Sequence, residues 1–139
     1  MSLLKVMIDH AEAEYPRECC GLILGVGDRI ETIEPMQNVW SGEVEHSLRD
    51  RYAIDPGEML GVMKRSRDQG LDIIGIYHSH PDHPALPSEC DRAAAWPQYR
   101  YVILSVERGK VVDWRVWVLE GEVFVAIDFG DFKNETTRL

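Results

Sequence analysis

Basic charge, cysteine and long apolar runs are all scarce in this sequence. Lysine and arginine number 15 against 24 acidic residues, which gives a formal net charge of −9. Non-specific binding to nucleic acid needs clustered basic side chains, so this balance argues against a nucleic-acid partner. No stretch approaches the roughly 20 apolar residues of a membrane span, and the residues after Met1 lack the basic start and apolar run of a secretory signal. We therefore expect a protein that binds neither nucleic acid nor membrane.

The three cysteines are odd in number, and two of them are adjacent: Cys19, Cys20 and Cys90. A disulfide framework needs paired cysteines, so we expect free thiols, which suit a reducing cytoplasm. Internal repeats, low-complexity tracts and linkers are also absent. A length of 139 residues with 45% hydrophobic residues fits one globular domain over residues 1–139.

Hydrophobic periodicity and chain breakers predict three helices and seven short strands. Ser2 is a suitable N-cap for the first helix, Pro16 ends that helix, and Gly70 closes the second. Helices interspersed among the early strands, followed by strands in a row, predict an α+β domain with a mixed, mostly antiparallel sheet. The predicted helices are 3–15, 58–69 and 88–96, and the predicted strands are 19–24, 30–34, 52–54, 71–77, 101–106, 111–119 and 123–127.

Two segments fall outside this regular pattern. Gln37–Asp50 is polar and without clean periodicity, which predicts a long loop, and long loops in compact domains are often functional. Its aromatic residues Trp40 and His46 fit substrate contact, a variable surface loop or a homodimer interface, and these three interpretations remain open. The polar tail over 131–139 is expected to be loose.

The most informative segment runs from His78 to Asp91. His78 and His80 leave the end of a buried strand, and residues two apart in an extended backbone point to the same side. Asp91 lies in the first turn of the next predicted helix, within reach if the proline-rich loop folds back. Two imidazoles and one carboxylate leave the fourth position of a tetrahedral zinc site open for water, as in catalytic zinc sites. The spacing therefore favours a metal centre.

Each piece of this pattern also has an ordinary structural interpretation. A His-x-His pair near a strand end is often polar surface, and Ser88-x-x-Asp91 is a capping box in its own right. Their convergence within one short segment is what favours a metal. The zinc-deaminase, His-Glu-x-x-His and Gly-x-Ser-x-Gly motifs are absent. We interpret His10 and His46 as ordinary histidines, and His83 as solvated rather than lining the site.

These residues resemble the motif of the JAMM (MPN-plus) metallopeptidases. The motif's histidine pair matches His78–Pro81, and ten residues separate the second histidine from Asp91, with Ser88 between them. That motif also has a glutamate far upstream, and its surroundings match Pro16–Leu22, which contains Glu18. The likeness covers most of the chain, including the segment from Tyr52 to Pro56 and the closing strands.

The resemblance implies a single cytidine-deaminase-like JAMM/MPN domain that binds one zinc ion per chain. It assigns zinc to His78, His80 and Asp91. It makes Glu18 the general base and proton shuttle, and Ser88 a stabiliser of the developing oxyanion. Zinc lowers the pKa of a bound water from about 15.7 to about 7, so a modest base completes the deprotonation. Only the resemblance singles out Glu18 among the many acidic residues.

Short members of this family resemble bacterial enzymes that act on ubiquitin-like sulfur carrier proteins ending in Gly-Gly. The resemblance therefore implies a cytoplasmic peptidase or isopeptidase that cuts the amide bond after the Gly-Gly. The nearest likeness is to peptidases that release cysteine from such a carrier in cysteine biosynthesis. A deubiquitinase-like isopeptidase, a protease that processes carrier precursors, a small-molecule hydrolase and a non-catalytic MPN-type scaffold remain alternatives, because no residue selects the substrate by its own chemistry.

Overall fold

The structure, a computed structural model, describes residues 2–42 and 46–128. Within these ranges the chain forms three helices and six strands. The predicted loose tail over 131–139 and positions 43–45 of the predicted loop lie outside the described residues. The elements in chain order are α1 (Leu3–Glu14), β1 (Cys20–Val26), β2 (Arg29–Met36), α2 (Pro56–Asp68), β3 (Asp72–Pro81), α3 (Glu89–Ala94), β4 (Arg100–Glu107), β5 (Lys110–Glu120) and β6 (Val123–Ile127).

The six strands form one mixed sheet in the order β2-β1-β3-β4-β5-β6. Each neighbouring pair is antiparallel except β3 and β4, which run parallel. Parallel neighbours need a crossover connection, and α3 with its flanking loops supplies it. The predicted α+β fold with a mixed, mostly antiparallel sheet is confirmed.

Alternate side chains of the central strands fill two separate cores, one on each face of the sheet. Helix α1 covers a core that includes Met7, Ile23 and Tyr77. Helix α2 covers a second core that includes Leu22 and Val62. Because neighbouring residues of a strand point to opposite faces, β1 serves both cores. The sheet is therefore held between two helices, and its central strands are buried on both sides.

Gly75 lets β3 and β4 approach closely near the centre of the sheet. A Cβ atom at this position would lie 2.6 Å from the carbonyl oxygen of Arg100 on β4. Backbone atoms of a paired strand have little room to move, so any larger side chain would push the two strands apart.

Strand β3 is longer than predicted and carries both histidines within it. The prediction ended at position 77, whereas the parallel pairing with β4 continues to Pro81, which pairs with Val106. The end of α3 also differs, because the helix stops at Ala94. Pro97 disfavours helical backbone at the residue before it, so the helix ends before Trp96.

The segment 52–54 was wrongly predicted as a strand and has irregular backbone instead. The three cysteines are free, with Cys19 and Cys20 buried and Cys90 exposed, as predicted. Among the described residues, no helix combines the length and apolar character that crossing a membrane requires.

Candidate metal centre

His78 and His80 point to the same face of β3 because they are two residues apart on one strand. The residue between them, Ser79, points to the other face, where its hydroxyl accepts a hydrogen bond of 2.7 Å from the backbone N–H of Cys19. Both histidines are buried, with exposed fractions of 1% and 7%. The strand itself therefore aims the two imidazoles at one recessed point.

Asp91 reaches the same point from the first turn of α3. The helix begins with a capping box: the Ser88 hydroxyl accepts from the N–H of Asp91 at 3.0 Å, and Oδ2 of Asp91 accepts from the N–H of Ser88 at 2.8 Å. The preceding loop is held in place by the backbone carbonyl of Pro84, which accepts from Nδ1 of His80 at 2.9 Å. The capping role and the metal-binding role of Asp91 are thus compatible, because the capping box orients its carboxylate towards the two histidines.

The three side chains bring three acceptor atoms into one small volume, and all lie within 4.8 Å of one another. Nε2 of His78 lies 3.2 Å from Oδ1 of Asp91, and Nε2 of His80 lies 3.0 Å from Oδ2. The two Nε2 atoms are 3.2 Å apart. Since Nδ1 of His80 donates to a carbonyl, its Nε2 presents a lone pair. Converging lone pairs need a shared cation, so the residues fit a bound metal ion.

The protonation states also suit metal binding. Burial lowers the pKa of His78, although the nearby Asp91 carboxylate acts in the opposite direction. Burial alone would raise the pKa of Asp91, but the charge of His78 and the hydrogen bonds with His78, His80 and the N–H of Ser88 outweigh it and lower the pKa. Neutral imidazole and ionised carboxylate are the forms that bind a metal.

The ring of Tyr52 packs against the first histidine. It stacks on the imidazole of His78 with a centroid distance of 4.5 Å and an interplanar angle of 22°. Nδ1 of His78 is buried and has no hydrogen-bond partner among the described residues. Stacking therefore does for His78 what the carbonyl of Pro84 does for His80, because it fixes the orientation of the ring.

Glu18 lies two residues before β1, and its backbone is held by the loop that follows β2. Its N–H donates to the carbonyl of Leu48 at 2.7 Å, and its carbonyl accepts from the side-chain amide of Asn38 at 3.0 Å. The side chain is 5% exposed. Burial, followed by the negative charge of Asp91, raises the pKa of Glu18 to about 9. A carboxyl group with so high a pKa is a candidate proton carrier.

Two cavities flank His78, His80 and Asp91, and each has a volume of about 280 Å³. Glu18, Asp50 and Arg51 line both cavities. The first cavity contains Asp91 and is otherwise mainly apolar; the second contains His80 and Ser88. The apolar lining of the first includes Tyr52, Ile54, Met59, Ile76, Trp96 and Tyr101. A cavity of about 440 Å³ lies elsewhere, between β2 and α2, and none of the predicted site residues lines it.

The structure brings all five predicted site residues to one place: His78, His80, Asp91, Glu18 and Ser88. It also adds residues that the sequence did not indicate, namely Tyr52, Asn38 and Arg51. Their contribution depends on contacts between separate chain segments, so no local motif marks them.

The other three histidines lie in different surroundings: one is away from the two cavities, one is paired with a cavity residue and one lines a cavity. His10 bonds through Nδ1 to the hydroxyl of Tyr77 at 2.7 Å, beneath the opposite face of the sheet, as expected for an ordinary histidine. His46 pairs with Asp50 at 3.0 Å, and the latter lines both cavities. His83 is exposed, as predicted, yet it also lines the second cavity. Trp40 is not among the residues that line these cavities.

Several known proteins are similar to this chain in sequence or in fold. Residues 1–120 match the family model of prokaryotic homologs of the JAB domain, Prok-JAB. A probable TtuB-protein conjugate cleaving protease from Thermus thermophilus is 35% identical over 105 residues, which cover 76% of this chain and 67% of the relative. A CysO-cysteine peptidase from Mycobacterium tuberculosis is 36% identical over 106 residues, 74% and 68% of the two chains. A JAB1/MPN domain protein from Archaeoglobus fulgidus has the same fold, with a TM-score of 0.59 at 19% identity over 91% of this chain and 90% of that one.

Proposed function

The chain belongs to the family of prokaryotic JAB-domain homologs. We propose that it is a zinc-dependent peptidase that acts on conjugates of a ubiquitin-like sulfur carrier protein. Its membership and its peptidase relatives make it a hydrolase of peptide or isopeptide bonds. The observation that carries the proposal is the convergence of three acceptor atoms beside a buried glutamate. Without a cation, the converging lone pairs of these buried atoms would repel one another.

Zinc is the metal that this donor set favours. His78, His80 and Asp91 would hold it through two nitrogens and one carboxylate oxygen, a ligand set that leaves one tetrahedral position open. A bound zinc ion would polarise the scissile carbonyl and lower the pKa of a water molecule and of the neighbouring Glu18. The residues around the ligands would then handle the protons and the substrate.

Glu18 serves as the general base. Its carboxyl group lines both cavities that flank the ligands, so it can accept a proton from the attacking water and return it to the leaving amine. Ser88 serves as an oxyanion donor. Its hydroxyl accepts the bond from the N–H of Asp91 with a lone pair, so the hydroxyl proton stays available for the tetrahedral oxygen.

The recessed position of the site favours a narrow, extended substrate. Both histidines are buried, with exposed fractions of 1% and 7%, so a folded surface cannot reach them. A C-terminal tail ending in Gly-Gly has no side chain on the acyl side of the scissile bond and fits such a site. The relatives named for conjugate cleavage and for CysO-cysteine cleavage support the same class of substrate. We propose the amide after Gly-Gly as the bond that is cut, with cysteine as the leaving group.

The first experiment tests Glu18. Zinc-loaded protein is incubated with candidate carriers, with and without a C-terminal cysteine, and the products are identified by mass spectrometry. We expect Glu18→Gln to retain about one zinc per chain and to lose hydrolysis by about 100- to 10,000-fold. Glu14→Gln, which changes a solvent-accessible glutamate on α1, is the matched control and is expected to cleave normally. Cleavage by Glu18→Gln at the native rate would contradict the mechanism.

A further inference from the structure

The side chain of Asn38 makes four hydrogen bonds and so uses the full capacity of its amide. Nδ2 donates to the carbonyls of Glu18 at 3.0 Å and Arg51 at 2.9 Å. Oδ1 accepts from the N–H groups of Trp40 and Ala53, each at 3.1 Å. Because all four bonds hold the same planar amide group, the side chain of Asn38 ties together the backbone segments that it contacts; we call this group the amide junction.

One of these bonds reaches the proposed general base. The ladder between β1 and β3 begins at Cys20, opposite His78, so the backbone of Glu18 lies outside it. The N–H of Glu18 donates to Leu48, and its carbonyl accepts from Asn38. The position of this carboxyl group therefore depends on the loop after β2 as well as on β3, where Ser79 holds the next residue, Cys19.

The other bonds hold the residues on both sides of Tyr52. Asn38 binds the carbonyl of Arg51 and the N–H of Ala53, and the N–H of Val39 donates to the carbonyl of Ala53 at 3.0 Å. Between these anchored groups, the ring of Tyr52 stacks on His78. The same asparagine thus restrains the base and the aromatic ring that orients a proposed metal ligand.

We infer that Asn38 is a positioning residue of the active site, whose amide fixes Glu18 relative to the metal ligands and holds Tyr52 against His78. This inference rests on the proposed function, because it takes Glu18 as the base. Asn38 lines neither of the two cavities beside the site. It acts through two neighbours, so its loss misplaces the base while the ligand set on β3 and α3 remains.

Two substitutions distinguish the hydrogen bonds that the Asn38 amide donates from those that it accepts. Asn38→Ala removes all four bonds. Asn38→Asp keeps an acceptor for Trp40 and Ala53 but loses both donated bonds, including the one to Glu18. We expect each variant to lower kcat by about 100-fold, the cost typical of a misplacement near 1 Å. We expect KM to change by less than about threefold, since the parts of the cavity wall on α2, β3 and α3 remain to bind the tail.

Structural readouts make the test specific. In zinc-loaded protein, the NMR amide shifts of Trp40 and Ala53 are expected to move in Asn38→Ala and to stay near native in Asn38→Asp. Zinc content is expected to stay at about one per chain in both variants. Ser66→Ala is the control for lost stability, because it removes a buried hydrogen bond of 2.7 Å to the carbonyl of Val62 in α2, a helix that makes none of the four bonds to the Asn38 amide.

The outcomes are distinct. A 100-fold loss of kcat in both Asn38 variants with normal Ser66→Ala activity supports the inference. Native kcat in Asn38→Asp overturns it, because the donated bond to Glu18 would then be dispensable. An equal loss in Ser66→Ala also overturns it, since general destabilisation would explain the effect. Native cleavage by Glu18→Gln would instead overturn the proposed function, whatever the Asn38 variants do.

Discussion

At the scale of single residues, the stacking of Tyr52 on His78 is a contact that the sequence did not predict. We expect Tyr52→Ala to weaken zinc affinity by about tenfold, the lower end of the range for residues that orient a metal ligand. Tyr52→Phe keeps the ring and is expected to bind zinc like the wild type. Competition with a chromophoric chelator measures both affinities. Equal weakening in the two variants would show that the hydroxyl, and not the stacked ring, is responsible.

Glu18 carries a cost in the metal-free protein, and that cost depends on pH. Burial and then the charge of Asp91 raise its pKa from 4.5 to about 9. Below pH 4.5 the carboxyl group is protonated in both the folded and the unfolded chain and carries no cost; as pH rises from 4.5 towards 9, only the unfolded chain ionises, so the free energy of unfolding falls. We therefore expect metal-free Glu18→Gln to melt several degrees above the wild type at pH 8 and close to it at pH 4.5. Calorimetry in chelator at both pH values measures this, and a gap that does not change with pH would contradict the assignment.

Residues of the site that lie close together in the sequence could be predicted, whereas residues brought in from distant segments could not. His78, His80 and Asp91 lie within one short segment, and the structure brings them together as expected. Glu18 was found only through the resemblance to a family. Asn38 and Tyr52 were not found, because their contacts join segments whose meeting no periodicity or spacing describes.

At the scale of elements, the segment 52–54 shows why a correct pattern can still give a wrong strand. The apolar residues of this segment do face a core, as a buried strand would. The backbone of Ala53, however, bonds to the side chain of Asn38 and to the N–H of Val39 rather than to a ladder. Strand β3, by contrast, was underestimated because its extension depends on its partner β4, and sequence periodicity does not show which partner a strand has.

The close approach of β3 and β4 at Gly75 leads to a prediction for the sheet. We expect Gly75→Ala to destabilise the fold by about 1–3 kcal/mol, because the new methyl group meets the backbone of Arg100. Gly61→Ala is the matched control. It lies in α2, where the nearest atom is 3.5 Å from the added methyl group, and it is expected to stabilise by about 0.5–1 kcal/mol. Urea denaturation compares the two, and an unaffected Gly75→Ala variant would contradict the close packing.

At the scale of the whole molecule, metal and stability are expected to be coupled. An ion that binds only the folded chain stabilises it by about 2.7 kcal/mol at 100 times its dissociation constant. We expect chelation to lower the melting temperature of the wild type by several degrees. Asp91→Asn, which removes one ligand charge, is expected to respond much less. Thermal melts with zinc and with chelator test this, and an equal response in both proteins would place the stabilising metal elsewhere.

The pairing of β1 with β3 joins Cys20 to His78, and this long-range contact has a consequence for synthesis. While the chain is still on the ribosome, Glu18 emerges early and has no metal ligands beside it. The ligand set is complete only after Asp91 has followed, and the base meets it only when the two strands have paired. A chain in which β1 and β3 have not yet paired therefore lacks the assembled site.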